Sequence, residues 1–205
     1  MKKKTVAIIV AHPDDETLWA GGVILKHSDW NPFVVCLSRK SDPDRAPKFF
    51  KALQMLKADG QIGDMDDGPE QIPMNENELD ETILELLPSV SFDLIISHSP
   101  AGEYTRHIRH EETGRAVIRL WKNGKLNTNE LWIFAYEDGN KGYYPRPMES
   151  ANINFPLSLE IWKKKYRIIT EIYGFGQNGF EAMTTPRSES FWQFNNPSEV
   201  VGFFS

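Results

Sequence analysis

The chain has a single cysteine, Cys36, among its 205 residues. One thiol cannot form an intrachain disulfide, and it cannot supply the four thiolates of a structural zinc site. So little cysteine is typical of a reducing compartment, and we expect a cytoplasmic protein.

Long hydrophobic runs and an excess of positive charge are also lacking. No run approaches the roughly 18 apolar residues that a membrane-spanning helix requires, so no membrane partner is expected. The formal net charge is −6 and the pI is about 5.4, so no global field attracts nucleic acid. The basic segment WKKKYR at 162–167 is interpreted as the solvated face of a helix. The GxGxxG spacing occurs once, in GFGQNG at 174–179, where it follows a predicted helix rather than a strand, and Walker A does not occur, which argues against the cofactors that those motifs bind.

The hydrophobic pattern alternates between strands and helices. Four segments are typical of buried strands: TVAIIVA, PFVVCLS, FDLIISH and ELWIFAYE. Helical spacing predicts five helices, at Glu16–His27, Pro43–Ala58, Asn77–Leu87, Thr105–Trp121 and Leu157–Tyr173. This alternation predicts an α/β fold with a mostly parallel sheet and helices on both faces. No linker or repeat divides residues 1–205, so a single domain is expected.

A histidine and three acids follow the first predicted strand in HPDDE. In a doubly wound sheet, ligands bind beyond the carboxyl ends of the strands, where this stretch lies. Pro13 can begin a helix, so Asp14, Asp15 and Glu16 would occupy the first helical turn. The acids could be N-terminal caps, which the helix dipole favours. Capping explains neither His12 nor the paired aspartates, whereas residues three apart across such a turn can converge on one metal.

Three of the five histidines lie in SHSPAGEYTRHIRHEETGRAV, which begins at the carboxyl end of another predicted strand. His107 and His110 are three apart on a predicted helix, so they share a face. His98 could line the site or simply end the strand. A catalytic zinc needs about three protein ligands and an open position. Two clusters at the same edge of one sheet could close such a site.

These motifs resemble those of a known family. AHPDDE followed by TLWAGG is similar to the first motif of the PIG-L/LmbE family of zinc-dependent N-deacetylases. RHIRHEETGRAV resembles the second motif, a His-x-Asp-His on a helix, and SESF resembles a weaker C-terminal signature. The resemblance covers most of the chain. It implies a three-layer, Rossmann-like fold and substrates that are N-acetylglucosamine conjugates or related N-acyl compounds.

The resemblance also implies site residues, matched position by position. It implies one zinc ion per chain, with the ligands His12, Asp15 and His110. Asp14 matches the general base that activates the metal-bound water. His107 matches the histidine that stabilises the developing oxyanion or protonates the leaving amine.

One position departs from the family pattern. Arg109 stands where the family usually has an aspartate between its two motif histidines. That aspartate would orient a histidine and raise its basicity, whereas an arginine cannot accept a proton. The orienting role could pass to Glu103, Glu111 or Glu112. Candidate substrate contacts are Arg45, Tyr104 and Arg106.

Two further segments carry notable side chains. DMDDG at 64–68 offers carboxylates in a turn but lacks the ligand spacing of an EF-hand loop, so a turn at the rim of the site is expected. No element is predicted in the segment after Tyr173, which is rich in Phe, Gly and Pro. Core packing is expected for its aromatic residues: Phe175, Phe180, Phe191, Trp192 and Phe194.

The sequence therefore predicts a zinc-dependent hydrolase that removes an acyl group from the amide nitrogen of a small-molecule amino sugar. Zinc can lower the pKa of a bound water to about 7, and a nearby carboxylate can take its proton. One alternative is a magnesium phosphatase or phosphotransferase that uses Asp14 and Asp15, which would leave the histidines idle. Another is a non-catalytic sugar- or nucleotide-binding protein on the same scaffold. No nucleic-acid partner is expected, and a homo-oligomer is left open.

Overall fold

A computed structural model describes residues 3–204 of the chain. The first five strands, β1 to β5, are Lys4–Val10, Trp30–Ser38, Asp59–Met65, Leu94–Ser97 and Leu131–Phe134. The helices that connect them, α1 to α4, are Asp15–Lys26, Arg45–Leu56, Glu76–Leu86 and Ile108–Lys122. All four predicted strands and the first four predicted helices are present. The fourth helix begins three residues later than predicted, at Ile108, because His107 is its N-cap.

The first five strands run parallel in the order β3-β2-β1-β4-β5. Successive strands are added on one side of β1 and then on the other, so β1 and β4 flank a topological switch point. Ile9 of β1 pairs with Ser97 of β4, which brings the carboxyl ends of the two strands together. Ligands bind at such a point in open α/β sheets. The HPDDE motif and His98 leave the sheet there.

The C-terminal part adds two antiparallel strands to the sheet. The remaining strands, β6 to β9, are Tyr136–Glu137, Arg146–Pro147, Ile153–Pro156 and Ser188–Phe194. Strand β9 pairs antiparallel with β5 and with β8, while β6 and β7 form a separate two-stranded ribbon. The remaining helices, α5 to α7, are Leu159–Arg167, Phe180–Thr184 and Pro197–Phe203, and α5 continues into a π-helical turn over Ile168–Ile172.

Two hydrophobic cores lie on opposite faces of the sheet. Side chains of β1 alternate between them: Ile8 belongs to one core and Ile9 to the other. The first core includes Leu18 of α1, and the second includes Ile83 of α3 and Val117 of α4. The fold is therefore α/β and Rossmann-like, with a mostly parallel sheet between two helical layers. In the described part of the chain, no helix is long and apolar enough to cross a membrane.

The interpretation of WKKKYR as a solvated helix face is wrong at Lys165. This side chain is fully buried, and its Nζ lies 2.5 Å from Oε1 of Glu189 on β9. The Glu189 carboxylate also accepts the main-chain N–H groups of Gly22 and Val23, each at 2.7 Å. Lys165 is buried because the buried carboxylate on β9 needs a cation. Neighbouring Lys164 is exposed, as expected.

Candidate active site and metal centre

The turn between β1 and α1 has a strained backbone at Asp14. Its φ of 120° is unusual for a residue with a side chain, and such conformations cost about 1–3 kcal/mol. The Asp14 N–H donates to Oε2 of buried Glu16 at 3.0 Å, which supports the turn from inside the protein. Asp14 is the N-cap of α1, yet its carboxylate accepts no capping hydrogen bond from the described residues. The carboxylate instead faces a cleft, so helix capping does not account for it.

Three side chains from the two predicted clusters converge at the carboxyl edge of the sheet. Nδ1 of His12 lies 3.1 Å from Oδ2 of Asp15 and 3.2 Å from Nε2 of His110. The distance between Oδ2 of Asp15 and Nε2 of His110 is 3.4 Å. Tetrahedral zinc with ligands at 2.0–2.2 Å places the ligand atoms about 3.3 Å apart. The spacing of the three atoms therefore fits a zinc ion.

A carboxylate contacts the outer nitrogen of each of these histidines. Nε2 of His12 lies 3.1 Å from Oδ1 of Asp67, and Nδ1 of His110 lies 2.6 Å from Oε2 of Glu103. Oδ1 of Asp15 accepts a hydrogen bond from Nε1 of Trp19 at 3.0 Å. Metal-binding histidines are typically oriented by such carboxylates. The donor set and its surroundings could therefore hold a divalent metal.

His98 supports this cluster from behind. Its Nδ1 lies 2.9 Å from Oε2 of Glu103, and its Nε2 accepts the N–H of Ala11 at 3.1 Å. Both ring nitrogens of His98 are thus engaged within the protein, although His98 lies in a buried group with Asp15 and His110 that could hold a metal. His98 fixes Glu103, which in turn contacts His110.

His107 faces the metal-binding group from the start of α4. Its ring stacks on that of His110, with centroids 4.5 Å apart, and lies 4.5 Å from the ring of His12. Burial, followed by the positive charge of His110 and His12, lowers the pKa of His107 to about 3. Its buried Nδ1 has no hydrogen-bond partner among residues 3–204. His107 is therefore a neutral imidazole in this arrangement.

The adjacent aspartates have opposite pKa shifts. Burial, and then repulsion by Asp15, raises the pKa of Asp14 well above its usual range. Nη1 of Arg45 lies 3.7 Å from Oδ1 of Asp14 and offsets this increase only in part. Burial alone would raise the pKa of Asp15 too, but the charges and hydrogen bonds of the surrounding histidines lower it well below its usual range. Such a separation is typical of a proton acceptor beside a charged ligand.

Arg109 does not reach the histidines. Its Nε donates to the carbonyl of Asp66 at 2.8 Å, and Nη2 donates to the carbonyl of Ile72 at 2.9 Å. Nη1 donates to Glu112 at 2.6 Å. Arg109 thus fixes the loop after β3, and this loop carries the Asp67 that contacts His12. Of the DMDDG segment predicted as a turn, residues 64–65 belong to β3, and Asp67 in the loop that follows lies at the rim of the site.

Of the three candidate orienting carboxylates, the structure places Glu103 on the histidines. Glu112 pairs with Arg109, while Glu111 lies 3.4–3.5 Å from Arg115 and Arg106. Glu111 and Glu112 therefore pair with arginines of α4 and of the preceding loop, and not with the histidines. This outcome depends on how the loop before α4 folds, which the sequence does not indicate.

A cleft of about 170 Å³ lies in front of the buried His110 and is lined by the other convergent side chains, those of His12, Asp14, Asp15 and His107. Among the predicted substrate contacts, Arg45 and Tyr104 line this cleft, whereas Arg106 lines a separate cavity of about 530 Å³. Several other residues of the cleft were not predicted as site residues: Trp19, Arg39, Phe180 and Glu181. Arg39 directly follows the predicted strand PFVVCLS, so its place at the carboxyl edge of the sheet could have been predicted from the sequence. Phe180 was expected to pack in the core, and this expectation is wrong: its side chain is 38% exposed and lines the cleft.

Fold and site together define an α/β protein with a His–Asp–His cluster that could hold a metal at the switch point of its sheet. The family comparison agrees: the profile described as PIG-L, GlcNAc-PI de-N-acetylase, matches residues 7–121, more than half of the chain. The chain therefore belongs to the PIG-L family.

Solved structures share this fold at low sequence identity. N,N′-diacetylchitobiose deacetylase from Pyrococcus horikoshii has a TM-score of 0.68 and 17% identity, over 94% of this chain and 84% of that protein. The zinc-inhibited form of teicoplanin deacetylase Orf2 has a TM-score of 0.64 and 13% identity, over 93% and 97%. The 4-carboxy-2-hydroxymuconate hydratase from Pseudomonas putida has a TM-score of 0.61 and 16% identity, over 93% and 95%. At these identities the likeness shows the fold, which supports more than one reaction.

Proposed function

We propose that this protein is a zinc-dependent hydrolase that removes an acetyl or other acyl group from the amide nitrogen of an amino sugar of the N-acetylglucosamine type. The observation that carries the proposal is the Asp14 carboxylate, which faces the cleft from a strained backbone position beside three side chains that could hold a metal. Membership of a family described as GlcNAc-PI de-N-acetylase supports the substrate class. The proposal includes a single domain over residues 1–205 and a cytoplasmic setting.

In this proposal His12, Asp15 and His110 hold one zinc ion per chain. When bound, zinc polarises the amide carbonyl and makes water a better nucleophile at neutral pH. Two imidazoles and one carboxylate are typical zinc ligands, whereas magnesium favours oxygen atoms. The ligand set therefore favours a hydrolase over a magnesium-dependent phosphatase.

Asp14 acts as general base in the proposed reaction. Its raised pKa makes it a stronger base than an ordinary aspartate, and it lies in the cleft with the substrate. Arg45, 3.7 Å from the Asp14 carboxylate, holds that side chain toward the cleft and contacts substrate. A protein that only bound sugars or nucleotides would need no base, so the strained Asp14 argues for catalysis.

His107 stabilises the developing oxyanion in this proposal. Because its pKa is lowered to about 3, it acts as a neutral N–H donor rather than as an imidazolium. Tyr104, whose ring centroid lies 5.8 Å from that of His107, contacts the substrate on the same side of the cleft. Arg106 lies outside the cleft and would contact only an extended substrate.

The test measures acetate release from methyl N-acetyl-β-glucosaminide by the zinc-loaded protein and by Asp14→Asn. We expect Asp14→Asn to keep its zinc and to lose at least about 100-fold in kcat, because the base is removed and the ligands remain. Asp44→Asn is the matched control: this exposed aspartate pairs with Lys48 and lies outside the cleft. Full activity of Asp14→Asn would exclude Asp14 as the base. Absence of acetate release by the wild-type protein would refute the deacetylase function.

A further inference from the structure

An aromatic groove opens directly from the catalytic cleft. Its apolar wall consists of Tyr104, Tyr143, Tyr144, Pro145 and Phe180, and its volume is about 440 Å³. Two of these residues, Tyr104 and Phe180, also line the cleft. The groove and the cleft therefore form one continuous surface.

A row of rings leads from the metal-binding group into this groove. The ring of Tyr104 lies 5.3 Å from that of His110 and 5.1 Å from that of Phe180. The Phe180 ring lies 6.0 Å from that of Tyr144. Phe180 is 38% exposed and Tyr144 is 48% exposed. Large exposed aromatic side chains grouped beside a cleft are typical of a binding surface.

Some of the polar groups that line the groove are paired within the protein. The Thr105 hydroxyl donates to Oδ1 of Asp138, and the Thr105 N–H donates to Oδ2, each at 2.8 Å. The Tyr143 hydroxyl accepts a hydrogen bond from Arg146 at 3.2 Å, whereas Lys141 has no side-chain partner among the described residues. Aromatic rings and a proline form the larger part of the wall, so an apolar group can be buried against them without new polar partners. The groove therefore favours an apolar occupant.

We propose that the aromatic groove binds an apolar aryl or alkyl group attached to the N-acylated sugar. The substrate class is then an amino-sugar conjugate with an apolar aglycone, an inference that rests on the proposed deacetylase function. The groove is built mainly by Asp138–Pro145 and Phe180, which lie outside the residues that match the family profile. This specificity therefore belongs to the C-terminal part of the chain.

The test compares kcat/KM for the phenyl and methyl β-glycosides of N-acetylglucosamine. We expect wild-type protein to favour the phenyl glycoside by about tenfold, which is the upper end of what stacking on aromatic rings contributes. Tyr144→Ala should reduce this preference to less than about threefold. Phe50→Ala is the matched control: this phenylalanine is 44% exposed, lines neither the cleft nor the groove, and should leave the preference intact.

Two results would overturn the groove assignment. One is equal turnover of the two glycosides, or a preference that survives Tyr144→Ala. The other is a larger kcat/KM for N,N′-diacetylchitobiose than for the phenyl glycoside, which would assign the groove to a second sugar. Calorimetric binding of both glycosides to zinc-loaded Asp14→Asn separates the two proposals. Preferential binding of the phenyl glycoside, with no turnover by wild-type protein, would retain the groove and refute the deacetylase function.

Discussion

Glu103 is the side chain through which the histidine cluster is held together. Its Oε2 lies 2.6 Å from Nδ1 of His110 and 2.9 Å from Nδ1 of His98, while Oε1 accepts the N–H of Ser99 at 2.9 Å. Burial would raise the pKa of this carboxyl group, but His98 and His110 lower it to about 2. Glu103 is therefore ionised at neutral pH and orients the proposed zinc ligand His110.

Replacing this carboxylate should weaken metal binding. We expect Glu103→Gln to raise the Kd for zinc by about 10–100-fold, because carboxylates behind ligand histidines contribute that much to metal affinity. The measurement is a competition titration against a chromophoric chelator. Glu111→Gln is the matched control, since Glu111 contacts the arginines Arg106 and Arg115. A larger effect of Glu111→Gln than of Glu103→Gln would show that the structure assigns the orienting role to the wrong residue.

Some of the individual site residues could be predicted from the sequence. That His12 and Asp15 would lie near the histidines at the start of α4 was predictable because both groups follow the carboxyl ends of two neighbouring parallel strands. The choice of His110 as the ligand among those histidines was implied only by the family resemblance. Asp67 as a partner of His12 was not predictable, because its position depends on the loop that Arg109 fixes. The role of Arg109 is a tertiary contact 43 residues away in sequence, and no local pattern indicates it.

Among the secondary-structure elements, α1, α5 and β9 meet at one buried ion pair. Lys165 of α5 pairs with Glu189 of β9, and Glu189 accepts N–H groups from α1. Gly22 is required at this junction: a Cβ there would lie 2.5 Å from a methyl group of Leu157 and 2.8 Å from Glu189. The second glycine of the TLWAGG motif therefore allows the carboxylate to reach the helix that begins at the metal-binding group.

Removing the cation of this pair should strongly destabilise the protein. Lys165→Met leaves the buried Glu189 unpaired, and we expect it to lower the free energy of unfolding by about 3–5 kcal/mol. Urea denaturation followed by circular dichroism measures the change. Lys164→Met removes an exposed lysine of the same helix and should unfold close to wild type. Equal stability of the two variants would contradict the buried pair.

How well each element could be predicted depended on how far apart in the sequence its contacting residues lie. Buried parallel strands were recognisable as short apolar runs, and the helices between them by their spacing. Strand β9 was missed because SESFWQF mixes polar and apolar residues and pairs with β5 about 60 positions away, without a local hairpin signal. The buried Lys165 was misassigned for the same reason, since its partner is on β9.

Across the whole molecule, the two parts of the chain contribute differently to the site. The residues that match the family profile include Asp14 and the three side chains that could hold a metal. The C-terminal part contributes Phe180 and the aromatic groove. We therefore expect the chemistry to follow the family and the choice of substrate to depend on the C-terminal part.

The most direct test of this account is the metal content of the protein purified without added metal, measured by elemental analysis. We predict about one zinc per chain in the wild-type protein and in Asp14→Asn, because the Asp14 substitution leaves all three proposed ligands in place. The double variant Asp15→Ala/His110→Ala should lose the zinc, since two of its three ligand side chains are removed. Equal zinc content in the wild type and the double variant, or only loosely held magnesium in the wild type, would contradict the proposed metal centre.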